Sequence, residues 1–143
     1  MSKHPTRLIL GALLCAALPA CTSLQTVKVT ASPDIAAASI RVDVTPATPG
    51  VESASVHDYW MPGSAARASA NYQTLHFGPT RASEQEVTSS NWGTKKVMVI
   101  ADLPGSHGDS DSKLEIPVSG KGAKKIANVQ VSSSGLSLVQ TGH

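Results

Sequence analysis

The sequence predicts an all-β chain, a single antiparallel β-sandwich behind a cleaved leader. Three observations predict it. From residue 21 onward the chain has 13 Val against 6 Leu, and β-branched residues favour strands. Seven to nine short segments recur along that span, several alternating apolar and polar, divided by Gly, Pro, Ser and Asp turn chemistry. No stretch of ten or more residues reads as an amphipathic helix. Many short strands without helices argue for two packed sheets.

The leader comes first. Lys3 and Arg7 precede the apolar run "LILGALLCAALPA" (8–20). That run is shorter than the ~20 residues needed to cross a bilayer. A basic start, a short apolar middle and small residues at the end mark residues 1–20 as a secretory signal peptide. The run closes on "LPAC" (Leu18 to Cys21), which resembles the lipobox of bacterial lipoprotein precursors, with Pro19 in place of the more usual Ala, Ser or Thr. That resemblance implies cleavage before Cys21, a thioether-linked diacylglycerol on its sulfur and an acylated amino group. A free cysteine would be a liability in an oxidising compartment. With Cys15 discarded, Cys21 is the sole cysteine left, so no intramolecular disulfide can form and stability must come from packing. Multiple acyl chains anchor firmly where one chain does not. Thr22 follows the cysteine. In lipoproteins of this kind an Asp there signals inner-membrane retention, so its absence favours the outer membrane, with the domain on the periplasmic face. Residues 21–25 are expected to be a short tether and 26–143 one domain riding close to the bilayer.

The strands follow in order. "TVKVT" (26–30) alternates Val27 and Val29 with polar neighbours. Ser32, Pro33 and Asp34 supply a turn, with a single helical turn expected at 35–38. "SIRVDVT" (39–45) sets Ile40, Val42 and Val44 on one face and Arg41 and Asp43 on the other, the pattern of a half-buried strand. Residues 45–73 read as a long surface excursion, with a short strand near 53–57 and a short helix in "SAARASA". "TLHF" and "EQEVTSS" return to strand. "TKKVMVIA" (94–101) carries an unbroken apolar run from Val97 to Ala101, which reads as a central strand covered on both faces. "DLPG" suits a type II turn, and "SHGDSDS" a loop. In "KLEIPV" (113–118) Pro117 lacks an amide hydrogen and points to an edge strand. "KIANVQVS" places Ala127, Val129 and Val131 on one face, and "SSGLSLVQ" forms a last strand after a turn at Gly135.

Charge and motifs narrow the function. Lys3 and Arg7 lie in the leader, so residues 21–143 hold ten cations and ten carboxylates. That neutral balance argues against nucleic acid as a partner and against a patch for anionic surfaces. Lys121, Lys124 and Lys125 read as a solvated hairpin end that discourages edge pairing. His57, His76 and His107 are scattered and lack metal-ligand spacing. His107, Asp109 and Asp111 share an oxygen-rich loop without the order of a calcium-binding one. There is no nucleophile elbow, and "SGKGAKK" lacks the spacing of a phosphate loop. Glu84 and Glu86, two apart, are weak evidence for glycoside chemistry. No enzyme and no cofactor are expected.

The aromatics after the leader are Tyr59, Trp60, Tyr72, Phe77 and Trp92. The densest cluster is "HDYWMPG" (57–63). Exposed Trp and Tyr are enriched at interaction hot spots, so Tyr59, Trp60 and Met61 are the expected contact with an envelope protein. A competing reading makes Trp60 a plug for an aromatic-poor core. A further one uses the same rings to stack a small molecule or glycan.

The order of features after the leader resembles the outer-membrane lipoproteins of type VI secretion systems. The matching stretches are "VTASPDIAAASIRVDV", "VMVIADLPG" and "ANVQVSSSGLSLV". Ile35 stands where that family often has Asn, and residues 45–73 have no counterpart in its pattern. The resemblance implies a transthyretin-like sandwich, one form beside the immunoglobulin-like one. It also implies docking onto the periplasmic domain of an inner-membrane partner.

Overall fold

A computed structural model describes residues 22–105 and 107–139. The expected signal peptide and Cys21 lie outside the described residues. Among these residues eight strands form two four-stranded sheets. The first sheet contains β1 (Thr26–Ala31), β4 (Glu84–Thr88), β7 (Ile126–Ser132) and β8 (Gly135–Leu138), in the order β4-β1-β7-β8. The second contains β2 (Ile40–Pro46), β3 (Gln73–Phe77), β5 (Lys96–Asp102) and β6 (Lys113–Pro117), in the order β3-β2-β5-β6. This is the expected β-sandwich. Among the described residues no helix is long and apolar enough to cross a membrane.

Period-two alternation builds the space between the sheets. Val27, Val29 and Ala31 of β1 pair in register with Ala127, Val129 and Val131 of β7, and all six are buried. Val42 and Val44 of β2 oppose Ala101 and Val99 of β5. Each fully buried valine contributes about 1.5 kcal/mol or more by leaving water. The β1–β7 pair runs parallel, while the other strand pairs are antiparallel. Alternation within one strand fixes which side chains face inward but says nothing of its neighbour's direction. Pro117 does lie on an edge strand, since β6 ends its sheet.

The sandwich has two distinct ends. At one, Ser23 bridges Ser119, Leu24 N–H donates to Val118 O (2.7 Å), and Gln25 N–H donates to Lys125 O (2.8 Å). Leu24 is buried, and Trp92 Nε1–H donates to its carbonyl oxygen (3.0 Å). The expected tether at 21–25 is therefore drawn into the fold from Ser23 onward. Trp60, read in one alternative as a core plug, stays out of the inner core, where Trp92 packs, and lies half-buried against a second cluster on the outer face. The other end holds the Arg41–Asp102 pair of β2 and β5. Asp102 is six residues along β5 from Lys96, about 20 Å at ~3.4 Å per residue.

Among the described residues, five single-turn helices interrupt the strands. They are α1 (Pro33–Ala36), α2 (Pro49–Ser53), α3 (Val56–Trp60), α4 (Ala65–Ala68) and α5 (Asp109–Ser112). The helical turn expected at 35–38 begins two residues earlier. The strand expected near 53–57 is instead the junction of α2 and α3. Each of α2, α3 and α4 starts on a hydroxyl cap: Thr48, Ser55 and Ser64 accept from the amides of Val51, Asp58 and Arg67. Such caps satisfy amides that a helix start leaves unpaired. Pro49, fixed near helical φ, suits the first turn of α2.

The loop expected at 106–112 also does structural work. Asp109 Oδ1 accepts from Val56 N–H (2.9 Å), tying α5 to α3. Lys113 Nζ donates to the carbonyls of Glu52 (2.8 Å) and Ala54 (2.7 Å) at the end of α2. Gly135 opens β8 at φ +123°, where a Cβ would stand 2.5 Å from the Asp111 carbonyl oxygen. Only glycine lets the last strand pass so close to α5.

Candidate functional site

The excursion at 47–72 lies over the outer face of the second sheet. Beneath it, Val51, Tyr59, Met98 and Ile100 form a second apolar cluster, with Ala47, Val56 and Trp60 packed against it. This explains the unbroken apolar run of β5. Val97, Val99 and Ala101 face the inner core, and Met98 and Ile100 face the excursion. The sequence predicts the two-sided cover but not what provides it.

Asp43 organises this layer. Alternation places it on the face of β2 opposite the inner core, and the half-buried reading then gives it to solvent. The structure corrects that: Asp43 is 0% exposed. Its Oδ2 accepts from Tyr59 Oη–H (2.6 Å) and Arg67 Nε–H (2.8 Å). Its Oδ1 accepts from Thr74 Oγ1–H (2.6 Å). A buried carboxylate is tolerable when its lone pairs are filled and its charge is paired. Tyr59 is buried, and burial together with the Asp43 carboxylate pushes its phenol well above the ordinary tyrosine range. Arg67 is likewise raised, chiefly by its hydrogen bond to Asp43.

The aromatic cluster follows from this hub. Held by Asp43, the Arg67 guanidinium lies 5.0 Å from the Trp60 ring centroid and 4.2 Å from that of Tyr72. Arg41, ion-paired with Asp102 at 2.9 Å, lies 4.4 Å from the Trp60 ring. Tyr59 meets Trp60 edge to face at 5.1 Å. Cation–π contacts of this kind contribute about 0.5–1 kcal/mol each at partly exposed sites. Trp60 is thus half-buried and fixed in orientation. Its Nε1–H is buried without a partner among the described residues, a cost that well-packed cores seldom carry.

Next to it, Met61 is 48% exposed. Met61 and Pro62 form a ridge between two open grooves, both also lined by Trp60. One, of about 370 Å³, extends to His57, Leu103 and His107. The other, of about 410 Å³, extends to Arg41, Arg67 and Tyr72. The ridge stands toward the Arg41–Asp102 end, away from the start of the described chain.

Of the three expected contact residues, the structure leaves Met61 outward, Trp60 half-covered and Tyr59 inside. Tyr59 cannot be touched from outside while its bond to Asp43 holds. Sequence reading missed Asp43, Arg41, Arg67 and Tyr72. The hydroxyl caps at Thr48, Ser55 and Ser64 were the available signal that the excursion is structured. The candidate loop at 105–112 brings His107 Nδ1 and Asp111 Oδ2 only to 3.8 Å, and Asp109 is engaged elsewhere. Among the described residues no three His, Cys, Asp or Glu side chains converge as a metal site.

Comparison with known proteins bears on the fold. No protein-family profile matches the chain, and no curated protein matches it in sequence. Solved structures do match. Lip of Serratia marcescens, described as a membrane-bound component of the type VI secretion system, superposes with a TM-score of 0.62 at 13% identity. The match covers 83% of this chain and 97% of that one. The type VI lipoprotein TssJ1 of Pseudomonas aeruginosa gives 0.56 at 10% identity, over 85% and 98% of the two chains. A chain of a type VI membrane complex gives 0.61 at 11% identity, over 82% and 99%. The sandwich is therefore of the kind those proteins share.

Proposed function

We propose that this chain is a lipid-anchored, non-catalytic docking module of the bacterial envelope, serving a type VI secretion membrane complex. The observation that carries the reading is whole-length likeness to sandwiches described as type VI lipoproteins and membrane-complex components, in a chain that presents "LPAC" just before its first strand. Cys21 carries the lipid, the domain sits on the periplasmic face of the outer membrane, and an envelope protein is the partner. The Met61–Pro62 ridge and the exposed edge of Trp60 make the contact. Tyr59 acts from beneath by holding the excursion on Asp43. Two features support that choice of surface. The ridge projects between two grooves at the end away from Ser23, and Met61 on it is 48% exposed.

Met61→Ala tests the contact more cleanly than Trp60→Ala, which also removes packing against Tyr59, Arg41 and Arg67. With Met61 at 48% exposure, the melting midpoint should hold, since exposed substitutions stay within about 0.5 kcal/mol. Co-purification of type VI envelope components should fall. Unchanged recovery of those components from Met61→Ala and Trp60→Ala cells would refute the ridge as the contact. Cys21→Ser should abolish incorporation of labelled palmitate, and retained label would refute lipidation at this sulfur.

A further inference from the structure

The end of the sandwich nearest Cys21 carries an unexplained surface. The β6–β7 connection is hydrogen-bonded to the first described residues through Val118 and Lys125. It bears Lys121, Lys124 and Lys125, all exposed and none in an ion pair among the described residues. No acidic residue occurs between 116 and 139. The neutral total charge expected from composition conceals this local cluster.

Beside the lysines lies an exposed apolar surface. Ile126, Leu138 and Val139 are 45%, 37% and 43% exposed. With Pro117 and Lys124 they line a cleft of about 60 Å³ where the β6 and β8 edges approach. Three exposed aliphatics at one spot, rimmed by one sign of charge, are not the scatter expected of a plain surface.

We propose that this end of the sandwich is a second, non-covalent membrane contact. Lys121, Lys124 and Lys125 meet anionic phospholipid headgroups, and Ile126, Leu138 and Val139 press into the interface. The inference rests on the reading of Cys21 as lipidated. Cys21 is two residues from Ser23, so the two Cα atoms are at most about 8 Å apart. Ser23 is itself paired to Ser119. A bilayer anchor at Cys21 therefore brings the lysine loop to headgroup level. Each lysine at an anionic surface favours the bound state by about fivefold. Paired with the covalent anchor, this contact fixes tilt and points the Met61 ridge away from the bilayer.

The test uses protein purified from cell envelopes and reconstituted into vesicles. One set is phosphatidylcholine alone, and the other contains phosphatidylglycerol as well. Lysines are labelled with a water-soluble acetylating reagent and read by mass spectrometry, with Lys113, which pairs with Ile100 toward the opposite end, as the internal reference. On anionic vesicles, labelling of Lys121, Lys124 and Lys125 should slow about fivefold relative to neutral ones. The Lys121→Glu/Lys124→Glu/Lys125→Glu variant should fold normally by circular dichroism, and amide exchange around Ile126 and Val139 should no longer depend on anionic lipid. Equal labelling on both vesicle types would overturn the proposal. So would protection on neutral vesicles that grows with protein density, which would make a second copy the occupant. The same spectra report the terminal peptide. Acylated Cys21 with unprotected lysines sinks this inference alone. A bare Cys21 thiol sinks the lipoprotein reading alone, provided protein added to anionic vesicles still co-sediments and the charge-reversed variant does not.

Discussion

Between the sheets, Val27, Val29, Val42, Val97 and Val99 are fully buried against other aliphatic side chains. On the outer face of β2 and β5, the excursion is held instead by Asp43, which receives hydrogen bonds from Tyr59, Arg67 and Thr74. The two layers share β2 and β5 but work differently. Apolar packing is roughly proportional to area and has little directional content. A fully satisfied buried carboxylate is directional, and its neighbours must sit in one arrangement. The inner core makes the sandwich, whereas the polar hub fixes where Trp60 and Met61 stand.

The sharpest way to break that comparison is to strip the hub. Arg67→Met leaves the Asp43 carboxylate buried with two hydroxyl donors and no counter-charge. Breaking a buried pair from one side costs about 3–5 kcal/mol, and the remaining donors favour the lower end of that range. Urea denaturation should show this as a fall in midpoint. Adding Asp43→Asn removes the orphaned charge and should recover most of the loss. A double variant as unstable as Arg67→Met would mean that the ion pair is not what holds the layer.

The inner core should respond more locally. Val99→Ala deletes two methyl groups at a 0%-exposed site. Transfer and cavity terms together give a loss of about 2–3 kcal/mol. The excursion should stay in place, so the near-ultraviolet signal of Trp60 should be unchanged in the native baseline. In Arg67→Met that signal should change, because the guanidinium leaves the ring. If both variants perturb Trp60 equally, the two layers are one cooperative unit and the distinction fails.

These layers were not equally legible in the sequence. Alternation in "TVKVT", "SIRVDVT" and "ANVQV" announced the inner core, because period two and burial on one face are the same fact. It also placed Asp43 opposite the inner core, correctly. What it could not supply is that this second face is covered. The excursion has no apolar repeat, and its helices last one turn, too short for a 3.6-residue period to appear. Its contacts join residues such as Arg67 and Asp43, 24 positions apart, and nothing local encodes that pairing. The parallel β1–β7 match is similarly long-range. For the candidate site, the reading found Trp60 and Met61 by residue type and missed the arginines that orient them.

Tyr59→Phe probes the hub most gently and tests its electrostatics by pH. The variant keeps the ring against Trp60 and loses one hydrogen bond to the Asp43 carboxylate, about 1.5 kcal/mol at neutral pH, the low end for a bond to a charged group because Arg67 and Thr74 remain. The larger signature comes in alkali. Unfolded, a tyrosine phenol gives up its proton near pH 10. Folded, Tyr59 holds its proton well beyond that, because burial and the Asp43 carboxylate both disfavour the phenolate. Above pH 10 the unfolded state therefore binds fewer protons than the native state. Stability then falls with rising pH, by up to about 1.4 kcal/mol per pH unit from this group. Below pH 10 the phenol adds no slope. Lys96, raised by Glu115 and Glu52, bends the curve in the same direction, but it is present in both proteins and cancels in their difference. The gap between wild type and Tyr59→Phe should thus be constant from pH 7 to about pH 10 and narrow beyond it. Parallel curves through the alkaline range would show that the phenol titrates freely, and the polar hub would then be looser than the apolar core it is set against.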